Sequence, residues 1–190
     1  MKRLIITLVS IFTCISAYCQ SNLFVEDGTL VWQKVYEESR TVEEIVKMLE
    51  DSQKVTYIQS TKDLGEAEKA QGLEGTVSCS MLYTGFDYEE AGFKRGGTPI
   101  YIVGNNFSAH VYIQVKEDRY RVTVINFTLS VSIDTPLADI GDQSPLEVYA
   151  VKNGALTRTA IKYLEPILDK QLDKLLTPPD VKVFRLDDEW

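Results

Sequence analysis

The chain predicts an α+β domain, an antiparallel sheet with a helix from its N-terminal half and a long C-terminal helix packed on one face. Three observations carry this. Residues 107–129 alternate apolar and polar side chains on both sides of Glu117-Asp118, the pattern of a hairpin. Val42, Ile45, Val46 and Leu49 recur at helical spacing behind Thr41. Ile161, Leu164, Leu168, Leu172 and Leu175 form a second helical stripe. Strands in series with a terminal helix segregate the helices to one side of the sheet.

Residues 1–19 read as a signal peptide. Lys2 and Arg3 precede an apolar run from Leu4 to Ile15, and Ala17 and Cys19 place small residues where a signal peptidase reads. The run is too short for a stable membrane span, so no transmembrane segment is expected after its removal. The protein is therefore expected to be exported, periplasmic or extracellular. Lipid attachment at Cys19 is disfavoured by Tyr18 and Ser16, which stand where a lipoprotein signal carries a small residue and a leucine. Loss of Lys2 and Arg3 makes the formal charge of −8 two units more negative. Such a chain is repelled by phosphate backbones, and no basic stripe overrides that sign, so nucleic acid is not an expected partner. With Cys14 and Cys19 removed, Cys79 stands alone and no internal disulfide can form. The fold must rest on its core, and a domain near this size buries ~70% of its unfolded surface. One domain is expected over residues 20–180, with an acidic tail at 181–190.

Asp27-Gly28 signals a turn, and Leu30 to Tyr36 alternates as a strand. Thr41 and Glu44 form a capping box that starts a helix, which ends at Asp51-Ser52. Val55 to Ser60 reads as a strand, 61–72 as a polar connection. Gly75 to Tyr83 is a strand with Val77, Cys79, Met81 and Tyr83 on one face. The glycine-rich stretch 84–98 is a loop, and Pro99 to Val103 begins a strand. A two-residue turn at Glu117-Asp118 sets Val115 opposite Tyr120, Ile113 opposite Val122, Val111 opposite Val124 and Ala109 opposite Asn126. That face is the core. The other pairs Gln114 with Arg121, Tyr112 with Thr123, His110 with Ile125 and Ser108 with Phe127. Residues 134–145 form a loop, Asn153-Gly154 precedes the long helix, and Pro166 should kink or split it.

The run Val111-Tyr112-Ile113-Gln114-Val115-Lys116-Glu117-Asp118-Arg119-Tyr120-Arg121-Val122-Thr123-Val124-Ile125-Asn126-Phe127 resembles a bacterial secreted domain family of unknown function with a fold like that of the TATA-binding protein. Members carry a strand, a K-D-G-R-Y-R type turn and T-I-T-N-F-like residues; here Glu117-Asp118 replaces the usual Asp-Gly. The strand and capped helix from Val31 to Leu49 also sit where the family has them. The resemblance implies a curved antiparallel sheet with two helices on its convex side. It implies no activity and no catalytic residues.

No catalytic, metal or cofactor motif emerges. His110 is the sole histidine, its predicted neighbours are Ile125, Tyr112 and Ser108, and general base or metal chemistry wants a partner for it. Asp134, Asp139 and Asp142 share a loop without calcium-loop spacing. Cys79, between Ser78 and Ser80, reads as a small buried filler. The mixed hairpin face stands out, with His110, Tyr112, Ile125 and Phe127 as the ligand-binding residues, because aromatic side chains on an uncovered sheet favour binding. The expected function is a non-enzymatic binding domain for a small molecule or an envelope protein. The alternative is a structural or assembly component of the envelope with no small-molecule ligand.

Overall fold

The computed structural model describes residues 21–60, 76–133 and 139–176. The expected signal peptide, the 61–72 connection, Asp134 and the 181–190 tail lie outside them. Asp27 and Gly28 both adopt positive φ, 49° and 82°, the left-handed backbone of a tight two-residue hairpin turn. This turn joins β1 (Leu23–Glu26) to β2 (Thr29–Tyr36). Asn153 and Gly154, at 54° and 74°, repeat the device between β9 (Val151–Lys152) and β10 (Ala155–Leu156). The remaining strands are β3 (Val55–Ser60), β4 (Thr76–Met81), β5 (Thr84–Gly85), β6 (Asn105–Val115), β7 (Tyr120–Val131) and β8 (Gln143–Pro145). The main sheet runs β1-β2-β7-β6-β4-β3, with β5 on β6 and β8 on β7, and every pairing is antiparallel.

Helix α1 (Val42–Ser52) starts at the expected capping box. The Glu44 N–H donates to Thr41 Oγ1 at 3.2 Å, and the Thr41 N–H donates to Glu44 Oε2 at 2.8 Å. Ile45 and Leu49 are its buried residues, and Gln53 ends it in the left-handed conformation at φ 54°. Helix α2 (Glu165–Leu176) comes after a π-helical segment, Ala160–Leu164, in which the Glu165 N–H reaches back five residues to the Ala160 carbonyl. Pro166 has no N–H to give, and its ring crowds the carbonyl four residues back; the widened turn just before it takes up that conflict. The widening also turns Ile161 outward, to 51% exposure, against the stripe read from the sequence. Ala160, Leu164, Ile167, Leu168 and Leu172 face inward instead.

Both helices lie on one side of the sheet. Ile45 and Leu49 of α1 and Leu168 and Leu172 of α2 share a core with Trp32, Val77, Cys79, Met81, Val111, Ile113, Val122 and Val124. Each fully buried aliphatic side chain contributes about 1.5–3 kcal/mol relative to exposure. Polar groups of α2 lock onto the same sheet face. Asp169 Oδ1 accepts from Trp32 Nε1 at 3.2 Å and from Asn22 Nδ2. Asp173 Oδ1 accepts from Lys34 Nζ at 2.7 Å and from the Tyr36 hydroxyl at 2.8 Å.

The central hairpin keeps the expected register from Val115–Tyr120 to His110–Ile125, and the Lys116 N–H closes the turn on the Arg119 carbonyl at 2.8 Å. Beyond it, Ser108 pairs with Thr128 rather than Phe127. The extra residue is a bulge in β7, with Asn126 exposed at φ 55°. The bulge reverses the facing of the rest of the strand. Phe127 is 1% exposed and lies against Phe107, ring centroids 6.2 Å apart, and Phe107 in turn stacks on Phe86 at 4.6 Å. Phe127 therefore belongs to the core and not to the open face, and Asn126 belongs to the surface and not to the core.

Two further differences have local causes. Pro99 begins a single helical turn, Ile100–Val103, and not a strand; its carbonyl accepts the Ile102 and Val103 N–H groups at 3.0 and 3.1 Å. A short apolar run has no periodicity to separate the two outcomes. In β3, a bulge between Thr56 and Gln59 throws Tyr57 outward at φ 53° and 80% exposure, while Ile58 packs against the core.

Candidate functional site

The face opposite the helices is built from three rows of side chains crossing the strands, since alternate residues of a strand share a side. One row is Val35, Arg121, Gln114 and Thr76. The next is Gln33, Thr123, Tyr112, Ser78 and Gln59. The third is Ile125, His110, Ser80 and Thr56. Three of the four residues singled out in the sequence thus meet here, His110 and Tyr112 exposed and Ile125 half-buried. Tyr112, at the middle of the central row, is 39% exposed.

Hydrogen bonds link neighbours along these rows. Gln33 Nε2 donates to Thr123 Oγ1 at 3.1 Å. Arg121 donates from Nε at 3.0 Å, and from Nη2, to Gln114 Oε1. His110 Nδ1 and Ser80 Oγ lie 3.2 Å apart. None of the side chains in the three rows is Asp or Glu, in a chain holding 28 of them. Asp169 and Asp173 meet the sheet on its helical side, Glu147 Oε1 accepts the Leu30 N–H at 3.1 Å, and Glu26 ends the edge strand β1, outside the three rows. Sequence reasoning put Gln114 and Arg121 on this face but named only its aromatic, histidine and isoleucine positions as the site, and it missed Gln33 and the serine column of β4. Their signal was present, as polar residues at alternate positions of strands whose other face is apolar.

Cys79 sits apart from the rows, on the core face beside Val111. Burial pushes its thiol from 9.0 up to about 12, so it stays protonated and a poor nucleophile. Tyr120 is likewise buried and pushed up to about 12, by burial first and then by the carboxylates of Glu38 and Asp173, with Arg40 opposing. Asp139 and Asp142 pair locally, the Asp139 N–H donating to Asp142 Oδ2 at 3.0 Å. Among the described residues no three His, Cys, Asp or Glu side chains gather as a metal site needs, and no helix is long and apolar enough to cross a membrane. Two concave features of the described residues lie elsewhere. A cleft of about 230 Å³ is lined by Lys54, Tyr83 and Gln171 among others, and one of about 480 Å³ by Phe24, Leu156 and Ile161 among others. Neither includes a residue of the three rows. In the first, the Gln171 amide is already committed, donating to the Gly85 carbonyl at 2.8 Å and accepting from the Asp87 N–H at 3.1 Å.

No protein-family model matches the chain, and no curated protein matches it. Two solved structures are similar to it. One is a TBP-like protein from Parabacteroides distasonis, at 12% identity over 79% of this chain and 92% of that one, with a TM-score of 0.42. The other is a DUF4468 family protein from Bacteroides ovatus, at 11% identity over 83% of this chain and 91% of that one, with a TM-score of 0.43. Both come from bacteria. The α+β architecture itself, a large antiparallel sheet with a C-terminal helix against it, stands on this chain's own strand order.

Proposed function

We propose that the chain is an exported, non-enzymatic binding domain whose open sheet face receives a small molecule or an envelope protein. The observation that carries the reading is that face. It presents polar rows around an exposed Tyr112 while both helices take the other side. Export is supported by the basic and apolar character of residues 1–19. Binding without catalysis is supported by how the reactive groups are dispersed. His110 has a serine hydroxyl beside it and an isoleucine opposite, and Cys79 is buried on the far side of the sheet.

The test is native mass spectrometry of the protein collected from the exporting host, beside a Tyr112→Ser variant. A ligand or partner retained by the parent and lost by the variant, at unchanged melting temperature, is the expected result. If Tyr112→Ser lowers stability by several kcal/mol, the ring is covered in the intact chain and the face is not a binding surface.

A further inference from the structure

The geometry points to a carboxylate-bearing glycan strand as the occupant of the open face, an inference that rests on the reading of that face as a binding surface. The first argument is charge. The protein is acidic overall, and its net charge repels anions at a distance. The three rows nonetheless hold no carboxylate, and they do hold the Arg121 guanidinium. A patch of three rows free of acids and carrying a guanidinium, with Glu26 at the β1 edge beyond it, is locally complementary to an anion. One arginine answers one carboxylate of the strand, and the uncharged hydroxyls and amides of the rows are left for the sugars beside it.

The second argument is hydrogen-bonding chemistry. Thr123, Ser78, Ser80 and Thr56 contribute hydroxyls, and Gln33 and Gln59 contribute amides, groups that donate and accept alike. They stand on strands about 4.8 Å apart. A chain of sugars presents hydroxyls that also donate and accept, so it satisfies such a surface at every row; an apolar ligand would leave the groups desolvated and unpaired. The third argument is the ring of Tyr112, which supplies contact area for the apolar C–H surface of a pyranose in the middle of the polar field.

Arg121 sets the preference for an acidic sugar. Gln114 accepts two of its five N–H groups and so fixes the plane of the guanidinium. The remaining donors are available to a carboxylate, a charge-assisted contact stronger than one to a hydroxyl.

The experiment is an amide-resolved NMR titration of the exported chain with three probes: hexagalacturonate, maltohexaose and hexaglutamate. Hexagalacturonate is expected to shift amides of β4, β6 and β7 along the three rows. Arg121→Gln should weaken it about tenfold while leaving maltohexaose unaffected, and Tyr112→Ala should weaken both sugars. Dispersed amide spectra of each variant establish that it folds. Equal binding of the two sugars, insensitive to Arg121→Gln, overturns the acidic preference. Hexaglutamate binding as tightly as hexagalacturonate makes the occupant an acidic peptide and overturns the glycan. No shift with any probe also overturns it, while a non-saccharide ligand found by native mass spectrometry would leave the broader binding reading standing. Shifts confined to the helical side would remove both.

Discussion

Trp32 and Asp169 are 137 residues apart in the chain and meet across the core face, the indole Nε1 donating to Oδ1 at 3.2 Å. Trp32 is fully buried, so its N–H has no water to turn to if the carboxylate is removed. Asp169→Ala should cost about 1–3 kcal/mol, the desolvation of an orphaned donor, in a urea unfolding series. Asp169→Asn keeps an oxygen acceptor and should recover part of the loss. Equal stability for all three proteins would mean that the contact contributes nothing.

Phe127 and Tyr112 separate core from surface within one hairpin. Phe127→Ala should cost about 3–5 kcal/mol, because the ring is enclosed and its removal leaves a cavity beside Phe107. Tyr112→Ala should stay within about 0.5 kcal/mol in the same denaturant melt, as surface substitutions do. A reversed ranking would restore the continuous register and put Phe127 outside.

Asn126 holds β7 in its bulge through a left-handed backbone, φ 55°. Asn126→Gly should leave stability nearly unchanged, whereas Asn126→Val should cost about 1–2 kcal/mol, because a β-branched residue resists that conformation. Hydrogen exchange of the Thr128 and Ser130 amides reports whether the pairing beyond the bulge loosens with it. If Val is accepted at no cost, the bulge is not conformationally demanding.

Alkaline pH should weaken the fold. Cys79 is raised from 9.0 to about 12, and Tyr101 and Tyr120 from 10.0 to about 12. All three titrate upward from a neutral form, so the unfolded chain loses these protons first. Below pH 9 both states hold them and nothing is lost. As pH rises from about 9 toward 12 the unfolded state ionises, the folded one does not, and stability declines. Urea midpoints at pH 8, 9.5 and 10.5 should fall in that order. Tyr120→Phe removes one contributor and should flatten the decline; an unchanged slope would remove Tyr120 from the account.

The parts of the fold that are legible in the sequence are those where one local rule acts alone. The capping box at Thr41 and Glu44 has a single physical meaning, and the hairpin register is set by a two-residue turn plus two apolar columns. Phe127 shows how a strict period of two can mislead. Val122 and Val124 occupy even positions and Phe127 and Leu129 odd ones, so the apolar phase flips across Ile125-Asn126. An asparagine at the flip, a residue type that tolerates positive φ, is the mark of a bulge. Strand β1 is not legible because Leu23 and Val25 make too brief a pattern to stand alone. Asp169 and Asp173 are illegible for a different reason. Acidic residues four apart on a helix read as a solvated stripe, and only the folded sheet shows Trp32, Lys34 and Tyr36 beneath them. At the candidate site, the aromatic and histidine positions are legible from alternation, but the absence of acids across five strands emerges only once non-neighbouring segments are laid side by side.

The π turn at Ala160–Leu164 sets the rotational phase of everything after it. An α-helix advances about 100° per residue, so removing one residue from this turn would swing Leu168, Asp169, Leu172 and Asp173 about a quarter-circle off the sheet. Length changes are therefore not interchangeable along this chain. A residue gained or lost in a surface connection alters only that connection, whereas one gained or lost between Ala160 and Pro166 changes which side chains become the roof of the core. In descendants of this sequence, the spacing from Ala160 to Asp169 should drift far less than the identities of the residues that fill it.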